Sequence, residues 1–286
     1  MTQALRISDP SSRPWLPLPF ALLFVLSMVA LVAGCAQNPG AASSAGAGVG
    51  RTAEPVTESD EPEARKRARI RLELAAGYFE QGQTTVALDE IKLSLAADPT
   101  YASAYMLRGL VYSRMNELPL AEESFRRAQQ LNPRDPDVLH HYGLFACQQG
   151  RYAQAVELFQ QAMASPVYGG QAKTLMAKGV CQVRAGQFAE AEGSLARSYE
   201  LDAGNPITAY NLAALQFRRG ENEKAQFTIR RLNNSDLANA ETLWLGIKVE
   251  RKVGNTEAMR QLAQQLGRRY PDSREWASYQ RGAFDE

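Results

Sequence analysis

Two adjacent histidines, His140 and His141, and two widely spaced cysteines, Cys147 and Cys181, are the side chains in this 286-residue chain whose chemistry could go beyond packing. Neighbouring residues on a helix point about 100° apart, so the imidazoles cannot share one metal ion as an i, i+4 pair would. A solvated or groove-lining pair is the better reading. Cys147 lies just past the histidines, but no oxyanion donor or orienting acid stands at a recognisable spacing to make it a nucleophile. The cysteines also lack the close pairs of a zinc module. The acidic stretch from Glu58 to Glu63 reads as solvated chain rather than a metal site. Gly46, Gly48 and Gly50 lack the preceding strand and following apolar helix that a nucleotide loop requires. The expectation is a protein that is not an enzyme and uses no cofactor, metal or small-molecule substrate. Thirty-two basic residues against 31 acidic ones argue against a nucleic-acid partner and against a broad basic membrane patch.

A third cysteine, Cys35, has a different setting. Arg6 and Arg13 precede an apolar run from Trp15 to Ala33, which ends in Val32-Ala33-Gly34-Cys35. Small residues directly before Cys resemble the lipobox of bacterial lipoproteins, which implies alkylation of the thiol with diacylglycerol and cleavage before it. The alternatives are an uncleaved anchor helix and an ordinary cleaved signal followed by an incidental Cys. Ala36 and Gln37 lack the Asp that would favour inner-membrane retention, so the resemblance implies the outer membrane, with the body facing the periplasm. From Ala36 to about Glu63 the chain is rich in Ala, Gly, Ser and Pro and has little that is large and apolar, the composition of a flexible tether. The expected organisation is a signal peptide over residues 1–34, a lipid-anchored tether over 35–66 and a folded domain over 67–286.

What must position any site in the folded part is a repeat. Gly82, Asn116, Gly150, Gly186, Gly220 and Gly254 follow one another at 34, 34, 36, 34 and 34 residues. Ala87, Ala121, Ala155, Ala191, Ala225 and Met259 keep those intervals five residues later, and Ala75, Gly109, Gly143, Gly179, Ala213 and Ile247 keep them seven residues earlier. Large apolar residues, Ile91, Phe125, Phe159, Leu195 and Ile229, follow the alanines by four. This arrangement resembles the tetratricopeptide repeat, two antiparallel helices with small residues where they cross and a turn residue between them. Pro99, Pro133 and Pro271 stand where the second helix closes, Pro166 is one residue early and Pro206 three late, and the fifth repeat has Leu237 there. The expected fold is all-α: about six helix-turn-helix repeats in a right-handed superhelix, with Ser273 to Ala283 as a capping helix. The extra two residues fall in Ser165 to Gln171, read as a longer turn.

Beyond the generic repeat, Tyr142, Gly143, Phe145, Cys147 and Gly150 (YGxFxCxxG), Pro166 with Tyr168, and Leu243 with Trp244 resemble the type IV pilus biogenesis lipoprotein family known as PilF or PilW. Lys178 before Gly179, where Ala is usual, and the long Ala/Gly tether depart from its pattern. The resemblance implies a pilotin: a lipid-anchored outer-membrane protein that binds the type IV pilus secretin subunit and promotes its localisation and assembly. The rivals are a periplasmic repeat lipoprotein that scaffolds β-barrel assembly or recruits murein hydrolases, and an enzyme subunit, for whose catalytic domain six repeats leave no room.

In this architecture the fifth, ninth and twelfth positions of each first helix face a concave groove. The fifth and ninth read Leu72 and Ala76, Met106 and Leu110, His140 and Leu144, Met176 and Val180, Tyr210 and Ala214, joined by Phe79, Val183 and Phe217 at the twelfth. The expectation is an apolar partner segment on Leu72, Phe79, Met106, Leu110, Leu144, Met176, Val180 and Val183. Cys147 and Cys181 occupy neighbouring first helices and, in an oxidising periplasm, are placed either to form a disulfide or to remain two small buried thiols; their Cα separation decides.

Overall fold

The computed structural model describes residues 60–285; the apolar run, Cys35 and most of the expected tether lie outside them. Thirteen α-helices form among the described residues: α1 Glu63–Glu80, α2 Thr84–Ala97, α3 Ala102–Arg114, α4 Leu118–Leu131, α5 Pro136–Gln148, α6 Tyr152–Ala162, α7 Gln171–Arg184, α8 Phe188–Leu201, α9 Pro206–Arg218, α10 Asn222–Asn233, α11 Ala240–Lys252, α12 Thr256–Arg269 and α13 Arg274–Arg281. They pair as six helix hairpins, each first helix also touching the first helix of the next, which is the repeat stack expected. The helical body begins four residues before the expected boundary at 67, because Pro62 stands immediately before α1, where its missing N–H is no loss, and Glu63 suits the first turn.

Each hairpin turns through one left-handed residue, Gly82, Gly150, Gly186, Gly220 or Gly254, with Asn116 at φ 62° in the second repeat. The small residue of the first helix meets the large residue of the second. A Cβ on Gly109 would fall 2.9 Å from Phe125, on Gly143 2.7 Å from Phe159, and on Gly179 2.6 Å from Leu195, so only hydrogen lets these helices close. Pro99, Pro133 and Pro271 follow the ends of α2, α4 and α12 as expected. Pro206 does not close α8: it is the first residue of α9, which Asn205 caps by accepting from the N–H groups of Ile207 and Thr208. The capping helix α13 starts on the Ser273 side chain and ends at Gly282 in the left-handed region.

The candidate partner-binding face

The eight expected groove residues are all half-buried. One side of each leans on the interhelical core and the other faces out, so the groove is a partly used packing surface rather than a free apolar strip. Phe79, Leu110 and Leu144 come together with His141 in one cleft of about 330 Å³ that crosses α1, α3 and α5. Leu72 packs beside Phe79 on the core around Ile91, and Met106 on the core around Phe125 and Phe159. Val180 and Val183 lean on a different cluster, around Leu195 and Leu215. The expected site is therefore two apolar patches with Met176 between them in the chain. Among the described residues the most exposed large apolar side chains lie elsewhere, at Val167 (91%) in the inserted turn and Phe227 (70%) on α10.

Of the histidine pair, His141 lines the cleft as expected, whereas His140 does not. His140 is 1% exposed, not solvated, and its Nδ1 lies 2.8 Å from the Thr174 hydroxyl across the joint between repeats three and four. Burial, with His141 and Lys173 nearby, pushes its pKa down to about 3, so it is neutral in the fold. At the same joint the hydroxyl of Tyr168, in the inserted turn, lies 3.0 Å from that of Thr174. His141 is half-buried at the cleft wall, its pKa also lowered, by burial and then Lys173. Cys147 and Cys181 are buried, their Cα atoms 5.9 Å apart, and they are joined as a disulfide.

The same repeat positions in the fifth and sixth hairpins build a second, larger cleft of about 830 Å³. Tyr210, Ala214, Phe217 and Arg218 of α9 face Trp244, Lys248 and Lys252 of α11. Sequence reasoning named the apolar members of α9 but missed those of α11, although Glu241, Trp244, Lys248 and Lys252 share one helical stripe. Among the described residues no group of three or more His, Cys, Asp or Glu is placed to hold a metal ion, and no helix is long and apolar enough to cross a membrane.

Three family models, each described as a tetratricopeptide repeat, match residues 72–136, 135–203 and 182–243, a continuous span that takes in most of the described hairpins. The chain belongs to the tetratricopeptide-repeat family. Within it, the chain is homologous to the type IV pilus assembly protein PilF of Pseudomonas aeruginosa, 26% identical over 209 residues that cover 73% of this chain and 83% of PilF. The solved structure of P. aeruginosa PilF superposes with a TM-score of 0.71 at 25% identity, over 77% of this chain and 100% of that one. The crystal structure of PilW, described as a widely conserved type IV pilus biogenesis factor, gives 0.68 at 28% identity, over 74% of this tetratricopeptide-repeat chain and 97% of PilW. Both matches extend over whole solved chains or nearly so.

Proposed function

We propose that this tetratricopeptide-repeat protein serves type IV pilus biogenesis as a non-catalytic assembly factor that binds the secretin subunit and promotes its placement and assembly in the outer membrane. The observation that carries the reading is the homology to PilF along most of both chains. The cleft of Phe79, Leu110 and Leu144 suits it, because a half-buried apolar cleft on a rigid helix stack is a ready seat for a segment that brings its own apolar side chains. In this reading the lipobox-like Val32-Ala33-Gly34-Cys35 carries the lipid anchor, and the Ala/Gly-rich stretch lets the helical body reach its partner.

Capture from detergent-solubilised envelope, read by mass spectrometry, tests the partner. A secretin supports the proposal; barrel-assembly or murein-hydrolase proteins in its place replace it. Because Leu110 and Leu144 also lean on the core, charge substitutions there would disturb folding, so Leu110→Gln with Leu144→Gln is the better probe of the cleft. The expected result is loss of secretin capture with helicity retained, and undiminished capture moves the site elsewhere. Intact-mass analysis of the membrane form tests the anchor: an unmodified Cys35 removes it from the proposal.

A further inference from the structure

The concave face changes character between its two ends. In the first five hairpins the ninth position of the first helix is small or apolar, Ala76, Leu110, Leu144, Val180 and Ala214, whereas in the sixth it is Lys248. Lys248 Nζ stands 5.6 Å from the Trp244 ring centre, and Lys252 follows one turn later. On α9, Arg218 stands at the same end as Lys252, so the C-terminal ends of both helices bring cations to a cleft floored by Tyr210, Phe217 and Trp244. Glu241 and Glu275 lie at the opposite end. The cleft is thus aromatic in the middle, basic at one end and acidic at the other. Burial lowers the Lys248 pKa, as expected for an ammonium held against a ring away from bulk water.

Two residues near the end of this chain, Phe284 and Asp285, already lie there. After α13 the chain reads Gly-Ala-Phe-Asp-Glu over residues 282–286. Phe284 stacks on Trp244 with ring centres 5.3 Å apart, lies under the Arg251 guanidinium at 4.0 Å, and meets the edge of Tyr279 at 6.0 Å. Phe284 and Asp285 form one wall of the cleft. An aromatic side chain followed by carboxylates is the chemistry that an aromatic floor with adjacent cations selects.

We propose that the cleft between α9 and α11 is a second docking site, for an extended protein segment that presents an aromatic residue followed by acidic residues, and that Phe284 and Asp285 partly occupy it as a built-in competitor. The assignment is independent of the secretin reading, which concerns the apolar cleft of the first three hairpins. The partner's ring takes the place of Phe284 on Trp244, and its carboxylates meet Lys252 and Arg218.

The test uses the full chain and a fluorescein-labelled Gly-Ala-Phe-Asp-Glu peptide, followed by anisotropy. Phe284→Ala, which clears the Trp244 face, is expected to bind the peptide at least about fivefold more tightly than the unaltered chain. Lys252→Glu is expected to weaken binding by about tenfold in either background, as reversal of a paired charge does. A Gly-Ala-Leu-Asn-Gln control should not bind. Leu110→Gln should leave the peptide affinity unchanged, which separates this result from any failure of the secretin reading. Binding no better than the control, or binding indifferent to Lys252→Glu, overturns the proposal. Should Phe284→Ala lose helical circular dichroism, Lys252→Glu and Arg218→Glu in the unaltered chain decide, since both positions are exposed; no loss of binding in either overturns it.

Discussion

Two neighbouring joints of the stack are tied in different ways. Between repeats two and three, Glu122 of α4 accepts hydrogen bonds from the Tyr142 hydroxyl at 2.6 Å and from Arg151 at 2.5 Å, both in the next hairpin. The equivalent Glu192 of α8 pairs with Arg219 across the joint between repeats four and five. Between repeats three and four the corresponding residue of α6 is Val156, which offers no carboxylate. There the link is covalent, Cys147 to Cys181, backed by neutral His140 on Thr174. In a linear stack each repeat is held only by its neighbours, so a polar or covalent tie at one joint adds to the apolar core that the two repeats share there. This is also the joint where the 34-residue period slips by two, and a disulfide between adjacent first helices holds their separation whatever the turn between the hairpins does.

Reducing the disulfide, or replacing both cysteines by Ser, should break the comparison most strongly. The bridge closes a loop with a sequence separation of 34, for which the chain-entropy description gives about 3–4 kcal/mol. The expected outcome is a lower Tm, with hydrogen exchange opening first on α6 and α7. Two alkylatable thiols in the denatured, unreduced protein would remove the covalent half of the contrast.

Acid should act next, and on the same joint. The fold holds the His140 pKa at about 3, below its ordinary 6.5, so the native state binds fewer protons than the unfolded one in between. Its contribution is complete above pH 6.5 and declines as pH falls toward 3, at roughly 1.4 kcal/mol per pH unit inside that window. His141, Lys173, Thr174 and Phe159 are its neighbours, and none supplies a carboxylate that would favour the charged form. Denaturant titrations from pH 7 to 4.5 should show the slope in the native sequence and a much weaker one in His140→Asn.

Gly143→Ala sets the scale for contact inside one repeat, against which both joints can be judged. The new methyl would lie 2.7 Å from the fully buried Phe159 ring, and overpacking of this kind costs roughly 1–3 kcal/mol. Gly77→Ala on α1 meets nothing within 4 Å and should be neutral or slightly stabilising in the same melting assay.

The smallest effect belongs to the electrostatic tie. Glu122 is mostly buried, but Arg151 retains 35% exposure, so Glu122→Gln should cost only about 1 kcal/mol after allowance for solvent screening. Desolvation raises the Glu122 pKa, but the hydrogen bonds from Arg151 and Tyr142 outweigh it and the net shift is downward. Its stabilisation is therefore present above the usual carboxylate range and lost as pH falls below it. Melting in high salt should weaken this tie and leave the disulfide joint unmoved.

Several features were legible because they are local or periodic. A turn that needs positive φ selects Gly or Asn, so the spacing of Gly82, Asn116 and the later glycines located six hairpin turns without coordinates. Close helix crossing excludes a Cβ, so Gly109, Gly143 and Gly179 marked the crossings. Proline was less dependable: the same residue type that closes a helix also opens one, and Pro206 is on the opening side.

The amino-acid sequence by itself determined the repeat and the number of hairpins, since both follow from spacing along one chain. What only the tertiary structure decided depends on how hairpins stack. That His140 is buried follows from Thr174 arriving from the far side of the inserted turn. Val180 and Val183 part from the other groove residues because they lean on the core around Leu195, whereas Leu110 joins the cores around Ile91 and Phe125. The larger cleft between α9 and α11 is partly filled because α13 returns the chain so that Phe284 lies on Trp244, a contact between residues 40 apart in sequence. No period or propensity encodes that meeting; it depends on the summed geometry of two hairpins and a cap.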